Sequence, residues 1–268
     1  MKIESLQNQK VKYAFALRER RDREREKKTI LEGYRELSRA LEFGMKLEEC
    51  FYCPEMFLGE NEFFLLEKLK TAGTEITEVS PQVLRKLAYR DRPEGLIAIA
   101  SMREHSLDKI QPVKNGLYII AEAVEKPGNL GSILRSADAA GADALIVCDK
   151  CTDIYNPNVI RASTGALFTV PLAEASKEET ALWLKNNNVK LLAASPHAEK
   201  FYTDVDMTGA VALMVGAEQY GLSDFWMRNA DIQVQIPMLG KIDSLNVATA
   251  ATIILYEAAR QRKWVKKQ

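Results

Sequence analysis

Apolar runs of strand length alternate with helix-like segments over the second half of the chain. The clearest runs cover residues 117–121, 144–148, 189–194 and 211–215, and each is separated from the next by polar or amphipathic sequence. Strands that alternate with helices predict an α/β domain with a mostly parallel sheet. Because ligands of such sheets bind beyond the carboxyl ends of the strands, the loops that follow these runs are the first place to look for chemistry.

The first hundred residues predict a second, smaller α/β unit. It opens with one helix over residues 8–28 and closes with the apolar strand 95–100. Residues 103–115 are polar, contain a proline and have few apolar positions, which is typical of a linker. We therefore predict a domain over residues 1–102, a linker over 103–115 and a second domain over 116–268.

Several boundaries in the second domain rest on turn residues. We predict a glycine-containing turn at 128–131 that opens a helix over 132–140, and a strand at 168–172. Residues 245–259 are apolar on nearly every side, which predicts a buried helix. Ser244 and Asn246 lie at the start of that helix, where free backbone N–H groups attract polar or anionic ligand atoms. The alternative is an ordinary loop in which Ser244 is the N-cap.

Composition describes an ordinary globular protein with an uneven distribution of charge. The 268 residues are 47% hydrophobic and 28% charged, and neither a signal peptide nor a membrane-length apolar run is found, which predicts a cytoplasmic protein without a membrane partner. The formal net charge is zero, but residues 1–28 carry ten Lys/Arg against five Asp/Glu and residues 257–268 carry five against one. Basic ends favour a polyanionic partner, with solvated helix faces as the alternative.

Four cysteines form two C-x-x-C pairs, Cys50/Cys53 and Cys148/Cys151. Such pairs are found in zinc sites, but these two are about a hundred residues apart, whereas zinc-ribbon pairs usually lie about 15–20 residues apart. Cys50 and Cys148 also fall in strand-like apolar runs, where a free cysteine behaves as a small hydrophobic residue. We predict no metal site.

The sequence contains neither of two familiar nucleotide-binding motifs and too few histidines for a histidine-based catalytic or zinc site. The glycine pair at 216 and 221 is not followed by a Walker lysine, and the pair at 128 and 131 lacks the first glycines of a dinucleotide fingerprint. The sequence has only two histidines, so the residues needed for a serine triad or a histidine zinc site are almost entirely missing. Taken singly, Arg135 is either a solubilising charge or a phosphate ligand, and Glu218 is either a loop carboxylate or an orienting group.

Three of these loops together resemble a known family. Residues 125–137 (EKPGNLGSILRSA), 215–222 (VGAEQYGL) and 236–247 (IPMLGKIDSLNV) are similar, in order, to the three signature motifs of the SpoU (TrmH-like) class of SPOUT RNA methyltransferases. Residues 156–163 (NPNVIRAS) also match the usage of that family. The likeness covers roughly residues 116–262. Lys126 and Ala248 depart from the common pattern, and Lys126 puts the identity of the RNA in doubt more than the activity.

The resemblance implies a parallel sheet with a deep trefoil knot, S-adenosylmethionine as the cofactor and a homodimer whose two protomers complete the site. It also implies that this chain transfers a methyl group to a ribose 2′-oxygen of RNA. The cofactor-binding residues that it implies are Leu213, Val215, Gly216, Ile236, Pro237, Met238 and Leu245. The catalytic residues that it implies are Asn129, Arg135, Glu218, Ser244 and Asn246.

The N-terminal unit resembles the substrate-binding domain attached to many of these enzymes, on the strength of the Ile3-x-Ser5-x-x-Asn8 and Leu31-Glu32-Gly33 patterns. That domain has a small α/β/α fold found in some RNA-binding ribosomal proteins. Such a domain is commoner on the ribosomal enzymes, so ribosomal RNA is the favoured substrate. The alternatives are a transfer RNA 2′-O-methyltransferase and a non-catalytic RNA-binding relative of the same fold.

Overall fold

The computed structural model describes residues Lys2–Trp264. Its contacts divide the chain into two compact units: Met1–Glu104 with Tyr155–Phe168, and His105–Ile154 with Thr169–Gln268. The division into domains at residues 102 and 116 stays a prediction. That prediction did not include Tyr155–Phe168 in the first domain, whereas the contacts group this distant stretch of sequence with the first unit.

The first unit is built on a four-stranded sheet. Its strands are β1 (Lys28–Glu32), β2 (Leu47–Tyr52), β3 (Glu75–Glu78) and β4 (Leu96–Ser101), in the order β1-β4-β2-β3. β4 is antiparallel to β1 and β2, and β2 is parallel to β3. The helices of this unit are α1 (Gln9–Ala16), α2 (Arg20–Glu26), α3 (Tyr34–Glu42), α4 (Glu62–Thr71), α5 (Pro81–Leu87) and α7 (Pro157–Ser163).

The prediction of one helix over residues 8–28 is wrong, because the chain breaks between α1 and α2. Arg23 turns back from α2 and donates from Nη1 to the carbonyl oxygens of Leu17 (3.1 Å) and Arg18 (2.6 Å). Carbonyls at a helix end have no partner within the helix, and this buried guanidinium supplies one. Leu17 is buried, so the break also fixes one apolar side chain in the core.

The second unit contains a seven-stranded parallel sheet among its described residues, which confirms the predicted fold class. The strands are β5 (Leu117–Glu122), β6 (Ala144–Cys148), β7 (Leu172–Ala175), β8 (Lys190–Ala194), β9 (Lys200–Phe201), β10 (Val211–Val215) and β11 (Ile232–Gln235). Their order is β7-β6-β5-β10-β8-β11-β9. The helices are α6 (Pro127–Ala140), α9 (Lys177–Asn186), α10 (Asp224–Asn229) and α11 (Val247–Gln261). Short 3-10 helices cover Pro54–Met56, Leu107–Lys109 and Tyr202–Asp204.

Two boundaries in this unit differ from the prediction. Helix α6 already begins at Pro127, which suits a first helical position, so the supposed turn at 128–131 is helical. The strand predicted at 168–172 is instead a short helix, α8 (Ala166–Thr169), followed by β7. Strand β7 begins at Leu172, later than predicted, because it pairs with β6 from the point where Leu145 lies opposite Leu172.

A single arginine ties the end of α11 to two loops of the second unit. Arg262, the C-cap of α11, donates to the carbonyl oxygens of Met207 (2.9 Å), Gly209 (2.6 Å), Gly116 (3.4 Å) and Asn115. Burial lowers the pKa of the Arg262 guanidinium from its ordinary value. The loops before β5 and before β10 are thereby held against the last turn of the helix.

No helix within residues 2–264 is both long enough and apolar enough to cross a membrane. Part of the predicted basic C-terminus, Lys266 and Lys267, lies outside the described residues.

We expect Arg262→Met to lower the free energy of unfolding by about 2 kcal/mol, because it removes charged hydrogen bonds to several carbonyls. Urea denaturation followed by circular dichroism measures this. Arg260→Met is the matched control, since Arg260 lies in the same helical turn, is exposed and pairs with Glu257 beside it. The control should cost less than about 1 kcal/mol. Equal losses in the two variants would contradict the anchoring role of Arg262.

Candidate functional site

Three loops leave the sheet of the second unit at the carboxyl ends of its strands. They follow β5, β10 and β11, and β5 lies directly beside β10. Each loop leads into a helix: α6, α10 and α11 respectively. The side chains that the sequence singled out lie on these loops and on the first turns of the helices.

A chain of side-chain hydrogen bonds joins the three loops. Asn246 donates from Nδ2 to Oδ1 of Asn129 at 3.0 Å, and Asn129 donates from Nδ2 to Oε1 of Glu218 at 2.6 Å. Glu218 also accepts the backbone N–H groups of Glu125 (3.1 Å) and Lys126 (3.2 Å). Residues about 90 and 117 positions apart in sequence therefore form one connected polar network.

The network favours an ionised Glu218. Burial alone raises the pKa of this carboxyl, but the hydrogen bonds from Asn129 and from the backbone of Glu125 and Lys126 outweigh it, so the net pKa lies below its ordinary value. The carboxylate also lies at the start of α6, where the helix dipole favours negative charge.

Asn129 has only one orientation compatible with this network. Its amide nitrogen must point to the Glu218 carboxylate, which only accepts, so its oxygen points to Asn246. A carboxamide has two N–H donors and two oxygen lone pairs, and one of each is used here. One donor and one acceptor of Asn129 therefore remain available to a ligand.

Arg135 lies on the same helix as Asn129 but outside the network. Six residues along an α-helix correspond to about 9 Å of rise and about 120° of rotation. Arg135 is exposed, and no hydrogen bond or ion pair joins it to the residues that the structure describes. The neighbouring Ser136 instead faces α11, where its Oγ lies 2.6 Å from Oγ1 of Thr252. The guanidinium is thus free to meet a ligand or a partner chain.

The loop after β11 has an unusually open backbone. Between positions 237 and 244 no backbone hydrogen bond connects the loop to any residue from Lys2 to Trp264. Leu239 is 95% exposed, and Ser244 is exposed as well. Ile236, Met238 and Leu245 are half-buried and Pro237 is exposed. The free N–H and C=O groups of this loop remain available to a bound ligand.

Ser244 is not the N-cap of α11, so that prediction is wrong. Asn246 occupies the cap, and its Oδ1 accepts the backbone N–H groups of Ala248 (3.0 Å) and Thr249 (3.4 Å). Both ends of the Asn246 amide are therefore engaged, one with the helix and one with Asn129. The cap fixes the end of the hydrogen-bond chain to α11. This helix buries one face, but Thr249, Tyr256 and Arg260 are exposed, so the prediction of a helix buried on nearly every side is wrong.

Gly216 has no room for a side chain. A Cβ atom there would lie 2.3 Å from the backbone of Gly221, and Ala217 and Gly221 exchange two backbone hydrogen bonds of 3.0 and 2.9 Å. This closed turn presents Glu218 to the network. Leu213 and Val215 are buried in β10, where the ladder with β5 engages their backbone, so their side chains belong to the core.

Sequence reasoning missed two buried supports of the site. Thr152 donates to the carbonyl oxygens of Val124 (2.8 Å) and Glu125 (2.7 Å), and Glu122 accepts the N–H of Ser223 at 2.9 Å. Glu122 ends an apolar strand, which is an unusual place for a buried carboxyl and could have drawn attention to it. Nothing in the sequence singled out Thr152.

A parallel sheet with polar, interconnected loops at the carboxyl ends of its strands defines a ligand-binding α/β enzyme domain. Comparison with known proteins makes the class specific. The model of the SpoU rRNA Methylase family matches residues 116–256, and the MRM3-like substrate binding domain matches residues 8–98. This chain belongs to the SpoU rRNA methylase family, and the resemblance drawn from its three motifs is confirmed.

Individual relatives agree with the family. A 23S rRNA (uridine(2479)-2′-O)-methyltransferase of Streptomyces viridochromogenes is 35% identical, over 91% of this chain and 86% of its own length. The 23S rRNA (guanosine(2553)-2′-O)-methyltransferase RlmP of Bacillus subtilis is 28% identical, over 95% and 97%. An AdoMet-bound rRNA methyltransferase from Sinorhizobium meliloti has a TM-score of 0.89 at 32% identity and covers 97% of each chain. The chain is an S-adenosylmethionine-dependent RNA ribose 2′-O-methyltransferase.

We expect Glu218→Gln to be less stable than the unsubstituted protein at pH 7, by up to about 1 kcal/mol, because the amide cannot accept all the N–H groups that face it. The folded pKa of Glu218 lies below the ordinary 4.5. Its contribution is therefore present above that pH and is lost as the pH falls through the folded pKa. Urea denaturation from about pH 7 down to about pH 3 should show the difference shrinking below pH 4.5, and Glu125→Gln should show no such trend. A constant difference would refute the charge-based account.

Proposed function

We propose that this enzyme methylates a ribose 2′-oxygen of 23S ribosomal RNA, in the cytoplasm where that RNA is assembled. The observation that carries the proposal is the hydrogen-bond chain Asn246–Asn129–Glu218, since it joins the three signature loops into one polar site. Two relatives with 23S rRNA in their names, and an N-terminal match to a substrate-binding domain, support this substrate. Because those relatives act on uridine and on guanosine, the target base stays open.

The cofactor fits the loops around Gly216 and residues 236–245. Bound S-adenosylmethionine supplies an electrophilic methyl group carried on a sulfonium sulfur. The open backbone of residues 237–244 offers N–H and C=O groups to hold polar atoms of the cofactor, and half-buried Met238 and Leu245 offer apolar contact. Leu213, Val215, Ile236 and Pro237 support these loops from the strands and their ends. We propose that this loop region belongs to the trefoil knot of the family.

Asn129 and Arg135 contact different groups of the RNA in this proposal, the 2′-hydroxyl and the adjacent phosphate. The free acceptor of Asn129 receives the hydrogen bond of the attacking 2′-hydroxyl, and Glu218 and Asn246 fix the orientation of the Asn129 amide. The amide only orients the hydroxyl, whose proton passes to water as the oxygen takes the methyl group from the sulfonium sulfur. Arg135 keeps its positive charge and binds the adjacent phosphate, which lowers the pKa of the 2′-hydroxyl. Ser244, exposed beside Asn246, contacts the substrate. Positioning and electrostatic stabilisation supply most of the rate in this scheme.

A homodimer completes this site in our proposal. Arg135 is exposed and has no hydrogen-bond or ion-pair partner among the described residues, whereas its neighbour Ser136 contacts Thr252 of α11. Leu239 and Ile242 expose 95% and 63% of their surface on the loop that follows β11. Apolar side chains this exposed are explained by a second protomer, which brings its own loop next to Arg135.

The activity is tested by methyl transfer from labelled S-adenosylmethionine to total RNA of a strain that lacks the gene. Nuclease digestion and nucleoside analysis should find a 2′-O-methylated nucleoside in the 23S fraction. Label in transfer RNA would retain the chemistry and overturn the proposed substrate. If neither RNA is labelled and calorimetry finds no cofactor binding, the whole assignment fails.

We expect Arg135→Ala to lower the rate of transfer by at least about a hundredfold, since it removes an electrostatic contact to the substrate. Calorimetry should find the affinity for S-adenosylmethionine unchanged. Arg228→Ala is the charge-matched control, because Arg228 is exposed on α10 of the same unit and should leave turnover intact. Near-full turnover of Arg135→Ala would remove Arg135 from the mechanism.

A further inference from the structure

A narrow cleft opens on the surface of the first unit, away from the residues assigned so far. Its walls are apolar, formed by Ile30, Leu87, Pro157 and Ile160. The enclosed part measures about 20 Å³, which is the room that one water molecule or one amino group needs. The cleft exists because Tyr155–Phe168 packs within this unit, where α7 lies beside β1.

Glu32 lies at the base of the cleft with one oxygen unused. This last residue of β1 is only 8% exposed. Its Oε2 accepts the backbone N–H groups of Tyr89 (2.8 Å) and Arg90 (3.2 Å). Its Oε1 is buried and has no hydrogen-bond partner among the described residues. An unsatisfied buried acceptor is costly, so it marks a place where an N–H or O–H donor from outside fits.

An aromatic ring at the mouth of the cleft is held ready for contact. Tyr89 is 39% exposed, and its hydroxyl accepts a hydrogen bond from Nδ2 of Asn158 at 3.1 Å. The Arg18 guanidinium lies 5.4 Å from the centre of the Tyr89 ring and 5.2 Å from that of Phe15. The ring is thus fixed on one edge by Asn158 and covered on one face by the Arg18 guanidinium, so a base would pack against its other face.

The positive charges around the mouth differ in how they are neutralised. Arg90 pairs with Glu36 at 2.9 Å and with Glu94, so it contributes little net charge. Arg18 and Arg161 also line the cleft, and neither forms an ion pair with a described residue. Arg18 donates from Nη1 to the carbonyl oxygen of Lys86 at 3.4 Å, but its charge, like that of Arg161, has no carboxylate partner among the described residues. Both charges can therefore attract an anion at the rim, while the acceptor at the base takes a donor.

We propose that this cleft binds one unpaired nucleotide of the RNA substrate. An N–H group on the edge of the base donates to Oε1 of Glu32, the ring of the base packs against Tyr89, and flanking phosphates bind Arg18 and Arg161. Only the base edge enters, because the enclosed space admits no more than an amino group. Aromatic stacking with backbone charge contacts is the general mode by which proteins hold single-stranded RNA. The proposal rests on the proposed function, since it takes RNA as the substrate.

The test measures RNA binding separately from catalysis. The probe is unmodified 23S rRNA made by transcription in vitro, and its dissociation constant is determined by filter binding at fixed salt. We expect Tyr89→Ala and Arg161→Ala each to weaken binding about tenfold, while Tyr89→Phe, which keeps the ring, binds within about threefold of the unsubstituted protein. Arg85→Ala is the charge-matched control, because Arg85 is exposed on α5 and does not line the cleft. It should change binding less than about twofold.

Glu32→Gln tests the base of the cleft without changing its size. The amide oxygen of the substituted residue still accepts the backbone N–H groups of Tyr89 and Arg90. Its NH2 group then takes the place of Oε1 and repels an N–H donor from the ligand. Several-fold weaker RNA binding with an unchanged melting temperature supports the contact. Unchanged binding of this variant overturns it and leaves the cleft as a water site.

Unchanged RNA binding of Tyr89→Ala and Arg161→Ala overturns the nucleotide site as a whole. Because filter binding needs no turnover, a failure of the proposed activity would be seen separately, as absent methyl transfer by the unsubstituted protein. Affinity for S-adenosylmethionine, measured by calorimetry, should be the same in every variant.

Discussion

The site depends on a row of side-chain hydrogen bonds that runs from Asn246 through Asn129 to Glu218. Glu218 lies on the loop after β10, Asn129 on the first turn of α6 after β5, and Asn246 at the cap of α11 after β11, so each follows a different parallel strand. Asn246 anchors one end by capping the helix α11, and the closed turn at Gly216 anchors the other by fixing Glu218. Because both ends are rigid, the central Asn129 is held in one orientation with one donor and one acceptor left free.

The charges of Glu218 and Arg135 are compensated to different degrees. The Glu218 carboxylate receives three donors, which keeps its pKa low and its charge compensated. Arg135, only six residues from Asn129, has no carboxylate partner among the described residues. A guanidinium left free at an exposed position is available for phosphate, whereas one paired within the protein would not be.

The two units combine buried acidic groups with free arginines in a similar way. In the first unit, burial raises the pKa of both Glu32 and Glu36, and backbone N–H groups and Arg90 hold them in place. The free charge lies at the rim, on Arg18 and Arg161. Many of the basic side chains at the start of the chain form ion pairs with acidic side chains, such as Arg20 with Glu24 and Lys10 with Glu49. The basic excess that is counted along residues 1–28 is therefore larger than the charge that these residues leave without an ion-pair partner.

The sequence was enough to predict the family, the parallel α/β class and most strands, because the period of apolar residues and three spaced motifs are local properties. It also singled out Asn129, Glu218 and Asn246, but not the bonds between them, since those join positions about 90 or more apart. Only tertiary structure decided that α1 and α2 separate at Leu17, that β7 begins at Leu172, and that Glu32 keeps one oxygen free. Each of these depends on a partner distant in sequence or on the space left between packed elements, which no local pattern records.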